Sequence, residues 1–171
     1  MKRTLVVVLA VSLVAAAGAG AVHLGGFLSL PRAAPVGDVT LYGHIGTLMP
    51  RGGRFVLRFD PAWFTSGVTA NTAAAEDGAV PRGQPVPNDN YVVEESHRRY
   101  TYVVPANARV TVLTNKGTAG ITSTPISVAQ LAQVVRGRPP RGLQLFETLD
   151  SGVWIRVHID TVRTIDQQYR P

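Results

Sequence analysis

The chain has 171 residues and a mass of 18.3 kDa, enough for one domain with or without an export segment. Hydrophobic residues make up 45% and charged residues 16%, which excludes a disordered polyelectrolyte; the absence of cysteine excludes a disulfide scaffold, a thiolate metal site, a thiol nucleophile and a lipidated-cysteine anchor. With Lys2 and Arg3 set aside, 15 basic residues face 11 acidic ones, a charge of +4 that favours solubility and loose attraction to anionic envelope polymers but names no partner.

Lys2-Arg3 is followed by an apolar core, Leu5 to Val14, and then by small residues, Ala15 to Ala21. This is the plan of a secretory signal peptide over residues 1–21, with Ala19-Gly20-Ala21 fitting the cleavage preference and Ala17-Gly18-Ala19 equally permitted. The rival reading is an uncleaved membrane anchor, because Leu5 to Val22 spans 18 residues and Phe27-Leu28-Ser29-Leu30 extends the apolar character. Lys2-Arg3 holds the amino terminus inside under either reading, which puts the rest of the chain outside the cytoplasm. Membrane contact is expected through residues 1–30. Residues 22–36, ending in Pro31-Arg32-Ala33-Ala34-Pro35, read as an extended linker.

Residues 37–171 read as a single extracytoplasmic domain rich in strand. Val39 to Leu48 alternates and is β-branched, with Gly43 and Gly46 marking a bulge or bend. Pro50-Arg51-Gly52-Gly53 forms a turn, and Arg54 to Phe59 returns with Phe55, Leu57 and Phe59 on one face. Asp60-Pro61 predicts a capped helical turn through Trp63, and a second short helix is predicted over Thr69 to Asp77, stopped at Gly78. A long irregular loop, Gly78 to Asn90, follows. Strands are predicted at Tyr91 to Glu94, Tyr100 to Val104 and Arg109 to Thr114.

The clearest helix begins at Ser127, where Gln130 completes a capping box and Ile126 can staple onto Leu131. Val128, Leu131, Ala132 and Val135 make its apolar stripe and Gly137 its stop. The chain closes with strands at Gly152 to His158 and Thr161 to Ile165, a hairpin turning through Ile159-Asp160. The expected fold is mainly β, a β-rich α+β domain. It takes the form of a small antiparallel sheet or partly open barrel of six to seven strands with two or three short helices, an oligonucleotide/oligosaccharide-binding-type barrel being the specific shape.

Signs of chemistry are few. His23, His44, His97 and His158 form no H-E-x-x-H or similar pair, so no metal site is expected and a sequence-evident zinc hydrolase is excluded. There is no G-x-S-x-G elbow, no S-x-x-K and no glycine-rich phosphate cradle, so neither a catalytic residue nor a cofactor is assigned. Asn88-Asp89-Asn90 is rich in oxygen ligands but lacks calcium-loop spacing, and an Asx turn is the better reading. Trp63, Tyr91, Tyr100, Tyr102, Trp154 and Tyr169 can form a ligand-stacking wall or simply fill a core.

Phe59-Asp60-Pro61-Ala62-Trp63-Phe64, Pro87-Asn88-Asp89-Asn90-Tyr91, Trp154-Ile155-Arg156-Val157 and the closing Asp166-Gln167-Gln168-Tyr169-Arg170-Pro171 occur in an order that resembles a family of small exported bacterial domains without assigned activity. The resemblance spans roughly residues 40–171 and implies no catalytic role. If the shared motifs are structural, Asp60, Asn88 and Tyr169 fasten loops and the carboxy terminus. If they are functional, Asn88, Asp89, Tyr91, Trp154 and Tyr169 converge on one surface as a ligand-binding site.

Three readings follow. The first is an exported, non-catalytic binding or scaffolding domain of the cell envelope, its partner an anionic envelope polymer or another envelope protein. The second is an envelope hydrolase or metal-dependent enzyme using Asp60, Asp89 and His97 or His158. The third is glycan or nucleic-acid binding on a barrel face by Tyr100, Tyr102 or Trp154, with nucleic acid disfavoured by the scattered arginines.

Overall fold

The computed structural model describes residues 37–94, 99–115, 117 and 120–170. The expected leader, the linker 22–36, His23 and the connection holding His97 lie outside them. Strand β1 (Asp38–Arg51) and strand β2 (Arg54–Ser66) form the expected hairpin. Gly52 and Gly53 make its turn at φ +55° and +78°, the left-handed pair that a two-residue hairpin turn requires. The register shifts between Ile45 and Thr47, so Gly46 supplies the bulge foreseen from its glycine.

The first departure comes at Asp60-Pro61, which begins no helix: β2 continues through both residues to Ser66. Along its other edge β2 pairs first with β4 (Tyr100–Pro105) as far as Phe59, then with β3 (Asn90–Glu94) from Ala62. Asp60 and Pro61 fall in the gap between these partners, where the missing proline N–H costs no ladder bond. Across the hairpin Pro61 faces Gly43; a methyl there would overlap the Asp60 carbonyl and stand 2.8 Å from Pro61 Cα. Close backbone approach thus outweighs the local capping signal, and Trp63 lies on a strand.

Helix α1 (Gly67–Glu76) follows and is ended by Gly78 at φ +73°, close to the expected boundaries. A single 3-10 turn, Pro87–Asp89, leads into β3. Strand β5 (Arg109–Asn115) pairs with β6 (Ile121–Ile126), a strand with no counterpart among the sequence expectations. Pro125 and the Ser/Thr run conceal it, and both are tolerated because β6 is an edge strand. Helix α2 (Val128–Val135) carries the complete Ser127/Gln130 capping box. Strands β7 (Val153–His158) and β8 (Thr161–Gln167) close the chain.

The domain is mainly β, with eight strands in one mixed sheet ordered β3-β2-β1-β7-β8-β5-β6 and β4 bridging β2 to β8. It is not purely antiparallel, since β5 and β4 both run parallel to β8. Nor is it a barrel. The path β2-β1-β7-β8-β4 returns to β2 as a ring, but its closure rests on one bridge, Val103 to Thr161, with the Val103 N–H donating to the Asp160 carbonyl at 2.9 Å.

Inside this ring lies the main core. It is built from Leu48, Leu57 and Phe59, from Val153, Ile155 and Val157, and from Val162 and Ile165, with Val128, Leu131 and Ala132 of α2 packed against them. Alternation sends Val153, Ile155 and Val157 inward and Trp154 outward. A register shift between Arg156 and Val157 makes Arg163 the extra residue on β8, so Val162 and Ile165 face inward despite their spacing.

Candidate functional site

The outward side chains of β1, β2 and β7 meet in an aromatic cluster. Tyr42 packs against Phe64 and Trp154 with ring centroids 5.2 and 5.1 Å apart, and Phe64 lies 6.0 Å from Trp154. The Tyr42 hydroxyl donates to the Ser151 carbonyl at 2.5 Å, and Trp154 Nε1 donates to Gln168 Oε1 at 2.6 Å. Both polar ends are therefore tied back into the fold; Tyr42 is itself buried, with Phe64 and Trp154 packed against it. Burial pushes the Tyr42 phenol up to about 12, against a weaker lowering influence of Arg170.

These rings form part of an apolar groove of about 540 Å³ between the first half of β1, the second half of β2, the start of β4 and the end of β7. Its walls are Val39, Leu41, Pro61, Trp63, Tyr100, Tyr102, Val157 and Ile159, and its size falls in the range of small-ligand sites. Tyr100 and Tyr102 stack obliquely at 6.3 Å. Burial raises the Tyr102 phenol above its ordinary value, with Tyr100 and Asp160 adding to the effect. Of the seven large apolar side chains exposed among the described residues, four stand in this groove: Val39, Trp63, Tyr100 and Ile159.

The residues singled out from sequence are distributed over three places. Asn88 and Asp89 form the turn before β3 at φ +59° and +56°, left-handed geometry that Asn and Asp accept more readily than most residues. Asn90 Nδ2 donates to the Asn88 carbonyl at 2.9 Å, a side-chain-to-carbonyl bond that differs from the expected Asx turn, in which a side-chain oxygen accepts a backbone N–H. Tyr91 packs with Ala70, Ala74 and Val86 beneath α1 and donates to Asp77 Oδ2 at 3.1 Å. Trp154 belongs to the groove. Tyr169 lies apart, its ring 5.8 Å from Phe146. Of the six-residue aromatic wall, Trp63, Tyr100, Tyr102 and Trp154 come together, whereas Tyr91 and Tyr169 do not.

The carboxy-terminal motif acts as a set of fasteners. Gln167 is buried; its Oε1 accepts from Leu113 N at 2.9 Å and its Nε2 donates to the Glu147 and Thr148 carbonyls at 3.2 and 3.1 Å. Asp166 accepts from Thr111 Oγ1 at 2.6 Å. Asp60 caps no helix amide and instead meets Arg99 Nε at 3.5 Å.

Two histidine–carboxylate pairs link strands: His158 Nδ1 lies 2.9 Å from Asp38 Oδ1 between the neighbours β7 and β1, and His44 Nε2 of β1 reaches across β2 to lie 3.1 Å from Glu94 Oε1 of β3. Neither pair lines the groove. Among the described residues no three His, Asp or Glu side chains gather as a metal-holding group. Val39, Tyr42, Phe64 and Ile159 were not indicated by sequence; the one local trace was Ile159, an isoleucine in a predicted two-residue turn.

Fold and groove together define a mainly β domain with an aromatic-walled apolar cleft. No protein-family model, curated protein or solved structure matches the chain.

Proposed function

We propose that the protein is an exported, non-catalytic binding domain of the cell envelope, and that it holds an apolar ligand in the aromatic groove. One observation carries this reading: most of the exposed large apolar side chains of the described body collect around one cleft instead of scattering singly. Two features support it further. The polar ends of Tyr42 and Trp154 are engaged by Ser151 and Gln168, and the amino-terminal stretch has the composition of an export segment. The motif order, which resembles that of small exported domains, points the same way. Among the described residues no helix is long and apolar enough to cross a membrane, so any spanning helix of the chain would have to come from elsewhere in it.

The test is a titration of the full chain with N-phenylnaphthylamine, a dye that fluoresces in apolar sites. Saturable binding is expected, weakened about tenfold by Tyr100→Ala, which removes an exposed aromatic wall without touching the core. Absence of saturable binding, or identical binding by the variant, refutes the reading. Cell fractionation checks the location: the chain is expected in the envelope or culture medium.

A further inference from the structure

We infer that Ile159, together with Val39 and Trp63, forms a lip that inserts into the outer face of the bilayer, so that the groove takes the acyl chain of a membrane lipid. This rests on the apolar-groove reading above and names its ligand class and source.

The first observation is backbone geometry. Ile159 sits at φ +56°, a genuine outlier for a β-branched side chain. The turn itself has a structural purpose, because the Asp160 carbonyl next to it accepts the Val103 N–H that closes the ring. That purpose explains the left-handed backbone but not the isoleucine: Gly would make the same turn without steric cost, and Asn at a lower cost than a β-branched residue. The side chain is also 80% exposed, so it adds nothing to the core. A strained residue that no packing repays points to a contact outside the chain.

The second observation is its company. Trp63 and Val39 are 61% and 55% exposed and line the same groove. A tryptophan beside branched aliphatic side chains is the composition of a surface resting at a membrane interface. The third is tether length. The apolar amino-terminal stretch ends at Leu30, nine residues before Val39. Even fully extended, that connection reaches about 30 Å, so a bilayer holding the stretch keeps the lip within that distance.

The experiment uses the full chain in phosphatidylcholine/phosphatidylglycerol vesicles containing phospholipid brominated on the acyl chain, with tryptophan emission as readout. Quenching is expected in the wild type and reduced in Trp63→Phe, where the remaining quenching comes from Trp154 in the groove. Ile159→Asn is expected to lower the quenching about threefold while raising the melting temperature, because Asn relieves the left-handed strain. Val39→Thr, conservative in shape, is expected to lower quenching in the same direction. Amino-terminal insertion alone would hold all variants at the vesicle equally, so unchanged quenching in Ile159→Asn and Val39→Thr overturns the inference. If phenylnaphthylamine binds but brominated lipid does not quench, the lipid inference fails and the groove reading stands; if neither occurs, both fail. Absent quenching with a concentration-dependent dimer that Ile159→Asn dissolves assigns the lip to a second copy and likewise overturns it.

Discussion

Gly152 is the position where one added methyl group should do the most damage for its size. It sits at φ +90° and ψ +170°, a region populated almost only by glycine, immediately before β7. A Cβ there would stand 2.8 Å from Tyr42 Cε2 and closer still to the Tyr42 hydroxyl. Gly152→Ala therefore meets three penalties. Backbone strain contributes about 1–3 kcal/mol, forced repacking of the Tyr42 ring about 1–3 kcal/mol, and loss of the Tyr42–Ser151 hydrogen bond about 1 kcal/mol. Relaxation shares these penalties, so the expected loss is about 3–5 kcal/mol, a large part of the stability of a domain this size. Urea unfolding followed by tryptophan fluorescence reads it directly, because Trp154 packs on Tyr42. Tyr42→Phe, which keeps the ring, should cost only about 1 kcal/mol. Adding Gly152→Ala to Tyr42→Ala should cost about 2 kcal/mol less than adding it to the wild type, since the clash is gone. A loss below about 1 kcal/mol in Gly152→Ala, or strict additivity in the pair, refutes the claim that the ring is wedged against this backbone.

Tyr42 also makes a prediction in pH. Below pH 10 its phenol is protonated in folded and unfolded chains alike; between about 10 and 12 only the unfolded chain ionises, so stability falls as pH rises, by up to about 3 kcal/mol. Absorbance at 295 nm should show a phenol transition near pH 12 that Tyr42→Phe abolishes. Gln167→Leu leaves the buried Leu113 N–H without its acceptor, costing about 2–3 kcal/mol and speeding hydrogen exchange at that amide. Ser127→Ala removes the α2 cap and should cost about 1 kcal/mol, read as a lower urea midpoint with an unchanged slope.

What could be read from the sequence was what neighbours in the chain decide. The Ser127/Gln130 box, the Gly52-Gly53 turn, the Gly46 bulge and the Ile159-Asp160 hairpin each depend on a few adjacent residues, and each is present. Asp60-Pro61 failed because its fate depends on Gly43 across the hairpin and on the handover from β4 to β3, neither of which adjacent residues report. Strand β6 failed because its edge position, not its composition, makes Pro125 acceptable. Asn88-Asp89 looked ligand-rich, and the polarity that suggested ligands is also what tolerates two consecutive left-handed residues.

The groove was the least legible feature. Its walls come from residues 39–42, 61–64, 100–102 and 154–159, brought side by side only by strand order. Four of its aromatics were marked as a possible wall, but their companions Tyr42 and Phe64 were hidden inside segments read for other reasons.

The single bridge between Val103 and Thr161 has a mechanical consequence. The turn that latches the ring shut is also the turn that raises Ile159 at the rim of the cleft. Whatever grips that isoleucine therefore pulls on the clasp of the whole domain. Occupancy outside and rigidity inside become one equilibrium, in which loosening the clasp weakens the grip by the same free energy with which the grip tightens the clasp.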